Sequence, residues 1–352
     1  MKITRSLSHP VTPSLRLSVT WSLVLFVLSC STDFELEAPW QDVPVVYGLL
    51  SLQDTAHYIR VEKAFLEPGG DATKIAQIAD SLYYDAKIQV QLQRISNNQL
   101  FTLQRVDGAT EGYPRGDGPF AKTPNILYKI RALEVRLKAN EKMRLIINRG
   151  EEKAPVTAET IVLGEMTIRD PSPNTASLNF GYDRTVSFSW DAVPAARIFD
   201  VRLILHYSES LPGSTTTFES KTLTWVLAEN FIRKDTTSTR VTFPPRETPL
   251  RGEEFYKFLQ ANLQPVSDRV RRFDNIDLVI TGAGKEVVEQ QRITEANTGI
   301  TSSQAVPVYT NLSEGRGVFS SKTTVSRLGI PLVGPSLDSL RGGIYTRDLN
   351  FR

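Results

Sequence analysis

Alternation of apolar and polar residues with a period of two runs through most of the chain, and it predicts strands. In the clearest stretch Ala86, Ile88, Val90 and Leu92 fall on one face and Lys87, Gln89, Gln91 and Gln93 on the other, the pattern of a half-buried strand. PVVYGLLSLQ from Pro44 and HYIRVEKAF from His57 read as two more, with Ile59, Val61 and Ala64 or Phe65 inward on the second. The polar Gln53-Asp54-Thr55-Ala56 between them predicts a hairpin turn. Asn97-Asn98 turns the chain into LFTLQRV, and NILYKIRAL and MRLIINRG complete the strand signals of the first half.

Helical spacing interrupts this pattern once in the first half, where Asp71 can cap a helix that places Ile75, Ile78, Ala79 and Leu82 together. The segment from Asp107 to Pro124, with Gly108, Gly112, Gly116 and Gly118 plus Pro114, Pro119 and Pro124, reads as a long loop, functional or disordered. A polar linker containing Pro155 is expected between Glu151 and Glu159. In the second half Val186, Phe188 and Trp190 alternate against Ser187, Ser189 and Asp191, and Phe199, Val201, Leu203, Leu205 and Tyr207 repeat the pattern. KTLTWVL, RVTFPP and IDLVITGAG add strands, and Glu253-Glu254 open a helix that buries Phe255, Phe258, Leu259 and Leu263.

Before all of this, Lys2, Arg5 and Arg16 precede an apolar run from Leu17 to Leu28, with no acid before Asp33. That is the layout of a secretory signal, and the run is too short to span a bilayer, which needs about 20 residues. Val27-Leu28-Ser29-Cys30 resembles the lipobox of bacterial lipoproteins, which implies cleavage after residue 29 and lipidation of Cys30. Cys30 is also the only cysteine of the chain, so the processed protein has no disulfide. Asp33, Glu35 and Glu37 in a tether over residues 30–40 resemble the acidic export signal of surface lipoproteins of Bacteroidota.

The strand ending in Trp190, the proline turn and the long aromatic strand after it resemble the B and C strands of fibronectin type III domains. The expected fold is therefore mainly β: two antiparallel β-sandwich domains of immunoglobulin or fibronectin III-like kind, with short helical insertions. They are expected over 41–153 and 160–330, followed by a tail over 331–352. Asn311, Gly315, Gly317 and Phe319 of NLSEGRGVF, preceded by the helix around Phe255 to Leu263, resemble a Bacteroidota family of outer-membrane lipoproteins catalogued as a domain of unknown function. That resemblance covers the C-terminal part only. It implies a lipid-anchored place on the outer membrane facing the cell exterior, and a partnership with a TonB-dependent transporter or another surface protein.

Charge removes one class of partner. The chain has 41 basic and 39 acidic residues, but residues 1–29 hold three of the basic ones, so the processed chain is near neutral and nothing recommends nucleic acid. His57 and His206 remain after His9 leaves with the signal. His206 is in phase with Asp200 and Arg202, which predicts a solvent-facing strand position, and two distant histidines make no zinc set. Gly282-Ala283-Gly284-Lys285 lacks the glycine spacing and the Ser or Thr of a phosphate loop, and no Gly-x-Ser-x-Gly elbow occurs. Asp107, Glu111 and Asp117 follow no calcium-loop spacing, and Arg269 to Arg272 read as a solvated basic face. Asp274 and Asp277 would suit a carboxylate hydrolase only if held at the separation that such chemistry needs.

The expectation is a non-enzymatic protein without cofactor or metal, an accessory or ligand-binding component of an uptake system. The alternative is a structural or assembly lipoprotein serving secretion, gliding or adhesion. Finally, Thr55, Ser81, Thr236 and Ser339 each follow an aspartate and precede an aliphatic or small residue. This resembles the acceptor pattern of O-glycosylation in Bacteroidota, and Thr55, in its turn, is the preferred candidate.

Overall fold

A computed structural model describes residues 43–64, 71–150, 152–172, 174, 177–214, 216–297 and 309–352. The signal sequence, Cys30 and the acidic tether lie outside the described residues. The hairpin forms as its pattern demands. Strand β1 (Pro44–Leu50) buries Val46 and Leu50, β2 (Ala56–Lys63) buries Ile59 and Val61, and Val46 faces Val61 in an antiparallel ladder.

Asp71 caps the next helix, accepting from the backbone N–H groups of Thr73 and Lys74. The expected single helix is nevertheless two short ones, α1 (Ala72–Ala76) and α2 (Ala79–Leu82). The carbonyl of Ala76, which a continuous helix would offer to residue 80, accepts instead from Ala121 N–H at 2.8 Å, and Ile78 is left exposed. Then come β3 (Gln89–Arg94), β4 (Gln99–Thr102), β5 (Gln104–Asp107), β6 (Ile126–Arg131), the single turn α3 (Ala132–Val135), β7 (Lys142–Asn148) and β8 (Val156–Ile161). Asn98, at φ 57°, makes the turn from β3 to β4. Strand β8 takes up the end of the expected linker from Val156 onward, because Val156 and Ala158 carry an inward phase that pairs with β7.

The second half contributes β9 (Thr167–Asp170), β10 (Thr185–Val186), β11 (Phe188–Asp191), β12 (Ile198–Ser210), β13 (Phe218–Ile232), β14 (Arg240–Phe243) and β15 (Leu250–Arg251). Helix α4 (Glu253–Asn262), β16 (Arg271–Ala283), α5 (Lys285–Asn297), β17 (Arg316–Ile330), α6 (Gly334–Gly342) and a 3-10 turn (Arg347–Leu349) follow.

The described residues are mainly β, with several sheets and, among them, none closed into a barrel. The largest has eight strands in the order β13-β12-β16-β17-β1-β2-β6-β5, so both halves of the chain contribute to it. Its junction is a parallel ladder of β1 with β17, Val46 opposite Gly317 and Gly48 opposite Phe319, which departs from the expected purely antiparallel pairing. Two cores form on this sheet. In one, Val46, Ile59 and Phe319 meet Val90, Leu92, Leu145 and Ile147 of the four-stranded sheet β4-β3-β7-β8. In the other, Leu203, Leu205 and Leu278 meet Trp190 and Phe188 of the three-stranded sheet β14-β11-β9 and Phe255, Tyr256 and Leu259 of α4.

The NLSEGRGVF segment holds that junction together. Asn311 brackets Phe319, accepting from its N–H at 3.0 Å and donating to its carbonyl at 2.7 Å. Gly315 and Gly317 take φ of 101° and 115°, and a Cβ at Gly317 would lie 1.9 Å from the Val46 carbonyl oxygen, so only glycine permits this approach. Residues 331–352 are likewise no free tail. Leu332, Leu340, Leu349 and Phe351 are all buried in the second core.

Candidate functional site

Strand β1 carries apolar residues on both faces. Val46 and Leu50 point into the core, while Tyr47 and Leu49, in the opposite phase, are 47% and 40% exposed. They form the floor of a groove of about 780 Å³ on the outer side of the large sheet. Tyr58 and Arg60 of β2 extend that floor, the Gln53–Ala56 turn and Lys322 of β17 close one end, and Glu111, Tyr113 and Pro114 of the long loop make a wall.

The loop is built to hold its place. The Asp107 carboxylate accepts from the N–H groups of Ala109 and Asn125, both at 3.0 Å, and Gly108 N–H donates to the Asn125 carbonyl at 2.6 Å. Asn125 Nδ2 then donates to the carbonyl of Tyr113 at 2.7 Å. Asp107 therefore serves as a turn former, Glu111 pairs with Lys129, and Asp117 pairs with Lys122. The three acids that calcium would need are thus divided among separate partners, and no group of three or more metal-ligating side chains occurs among the described residues.

Charge in the groove is internally matched. Tyr58 Oη donates to Glu111 at 3.0 Å, and Lys129 both bridges to that carboxylate and lies 5.7 Å from the centre of the Tyr58 ring. The hydrogen bond from Lys129, and then that from Tyr58, hold the Glu111 carboxyl below its ordinary value, while Glu111 holds the Lys129 ammonium above its own. Burial and the bond to Glu111 push the Tyr58 phenol up. Arg60 pairs with Glu62 at 2.8 Å, Arg115 pairs with the same carboxylate, and Lys322 lies 3.6 Å from Asp54. The Gln53 side chain binds the backbone of Thr324 as a strand would, accepting from its N–H at 2.8 Å and donating to its carbonyl. Tyr113 leans on Tyr58 with ring centres 4.8 Å apart and planes at 56°.

The residues singled out in the sequence scatter relative to this groove. Thr55 is exposed and stands on its rim. Thr236 is exposed in the loop after β13, Ser81 is half-buried on α2, and Ser339 is half-buried on α6 with its hydroxyl donating to the Pro335 carbonyl at 3.0 Å. His206 lies on the outer face, 34% exposed, with Nε2 2.8 Å from Asp277. Asp274 accepts instead from Ser208, so the two acids bind separate partners. His57, by contrast, is 2% exposed, and burial pushes its imidazole down. The basic run 269–272 is not a solvated face. Arg271 is 3% exposed and, with Arg269 and Lys221, surrounds the buried Glu209.

Tyr47, Leu49, Tyr58 and Tyr113 were absent from the sequence-derived candidates. Pattern alone could not separate Tyr47 and Leu49 from core residues, since PVVYGLL is apolar in both phases and such a run fits a strand buried on both faces. Among the described residues no helix is long and apolar enough to cross a membrane. No protein-family model matches the chain, and no curated protein matches it in sequence.

Proposed function

We propose that this chain is a surface-exposed outer-membrane lipoprotein, tethered through Cys30, that binds a ligand or partner for a TonB-dependent uptake system. In this reading it is non-enzymatic and its two cores are β-sandwiches of immunoglobulin or fibronectin III-like kind on a shared sheet. The groove carries the proposal. It offers exposed aromatic and aliphatic side chains on a hydrogen-bonded sheet, where binding requires little rearrangement, and its charged groups are matched rather than poised for proton transfer. The apolar run before Cys30, as the sequence's only cysteine, supports the tether.

Two measurements test it. Metabolic labelling with palmitate and membrane fractionation should show Cys30→Ala unlabelled and either released or unprocessed. A variant that stays membrane-bound and correctly processed removes the lipoprotein. Affinity purification from solubilised outer membrane of the native host should recover a TonB-dependent transporter, and recovery of secretion or motility components instead would favour the assembly lipoprotein. That second reading has its own support in β13, a 15-residue strand at the edge of the large sheet that among the described residues pairs only with β12 and is open to strand addition.

A further inference from the structure

We infer that the groove over β1 and β2 takes a neutral polyhydroxylated ligand, a short oligosaccharide, with its sugar rings laid on Tyr47 and Tyr113. This rests on the ligand-binding reading above and names its ligand class.

The exposed side chains set the first requirement. Tyr47 and Tyr113 are 47% and 55% exposed, and Leu49 lies two residues along β1 from Tyr47. Such rings present an apolar face and a polar tip, which matches a pyranose, with C–H groups on its face and hydroxyls around its edge. A purely apolar ligand would strip water from the tyrosine hydroxyls at the ring edges without replacing it.

The paired charges set the second. Asp54 and Lys322 face one another, Arg60 is held by Glu62, and Glu111 is held by Lys129 and Tyr58. The lining has as many acids as bases, so an anionic or cationic ligand meets a like charge as readily as an opposite one. Ions are discriminated against by that arrangement.

The third is an acceptor without a donor. Asn125, 1% exposed beneath the Tyr113 turn, commits Nδ2 to the Tyr113 carbonyl, and its Oδ1 has no hydrogen-bond partner. A ligand hydroxyl inserted there would satisfy it. The volume, about 780 Å³, lies in the range of small-ligand sites.

Titration calorimetry on the full chain in a zwitterionic, sugar-free detergent tests this. The probes are maltotriose, cellotriose, xylotriose and mannotriose, set against trigalacturonate and an uncharged capped tripeptide. At least one neutral trisaccharide should bind, and Tyr47→Ala and Tyr113→Ala should each weaken it on the order of tenfold with the thermal melt unchanged. If only trigalacturonate or the peptide binds, and does so through Tyr47, the oligosaccharide is overturned while the groove remains a binding site. If no trisaccharide binds, the oligosaccharide is again overturned. Should Tyr47→Ala then also leave transporter recovery unchanged, the ligand-binding reading falls with it.

Discussion

Glu209 and Arg271 meet across the β12–β16 ladder with Oε2 and Nε 2.8 Å apart and their side chains only 5% and 4% exposed. Arg271 also donates to the carbonyls of Gln264 and Leu349, so the pair ties the C-terminal 3-10 turn to the sheet. Burial pushes the Glu209 carboxyl up, but hydrogen bonds from Lys221, Arg271 and Arg269 outweigh it and hold the group at about 2.

Removing that charge leaves the Arg271 guanidinium buried and uncompensated, so Glu209→Gln should destabilise by about 3 to 5 kcal/mol, read from urea unfolding at pH 7. The depressed value has a pH consequence. The unfolded carboxyl, near 4.5, takes up a proton before the folded one, so the contribution of Glu209 is complete above about pH 4.5 and is lost as pH falls toward 2. The difference between wild type and Glu209→Gln should shrink over that window.

His57 should act at milder pH. Burial lowers its pKa from 6.5, against the opposing effect of Asp54, and its Nδ1 is buried without a hydrogen-bond partner. The unfolded chain therefore binds the proton first. Stability attributable to neutral His57 is full above about pH 6.5 and declines as pH drops below it. The urea midpoint should fall between pH 7.5 and 5.5 in wild type and fall less in His57→Leu; equal changes in both would show that another group is responsible.

Gly317→Ala should cost at least about 2 kcal/mol, from strained positive φ and from the collision with Val46 O. The loss should appear in thermal melts. Gly118→Ala, where an added Cβ meets nothing, serves as the control and should be close to wild type.

Trp190 is 0% exposed and packs edge-on against Phe199 with ring centres 5.2 Å apart. Trp190→Ala should cost about 3 to 5 kcal/mol in denaturant melts, and a loss below about 1 kcal/mol would contradict its place in the second core.

Among the four glycosylation candidates, exposure favours Thr55 and Thr236 over the half-buried Ser81 and Ser339. Glycopeptide mass spectrometry on protein from its native host should find Thr55 modified and Ser339 bare. Because Thr55 stands on the groove rim, the modified form should also bind groove ligands more weakly than unmodified protein.

Local pattern identified strands such as β1, β2, β3 and β12, since burial of every second residue leaves its mark within a few positions, but it missed β8. The β1–β2 hairpin, the Asp71 cap and the inward faces of β12 and α4 were legible on that basis. Pairing between distant segments was not. Gln53 and Thr324 are 271 residues apart and share a ladder edge, and nothing near either one specifies the other. For the same reason Arg271 looked like part of a solvated basic run until Glu209 was brought beneath it, because the cost of burying a charge is decided by its partners in space. The facing of Tyr47 and Leu49 was likewise open on pattern alone. Only the packing of the β4-β3-β7-β8 sheet onto Val46 and Leu50 shows that one face of β1 is filled, leaving its other face to line the groove.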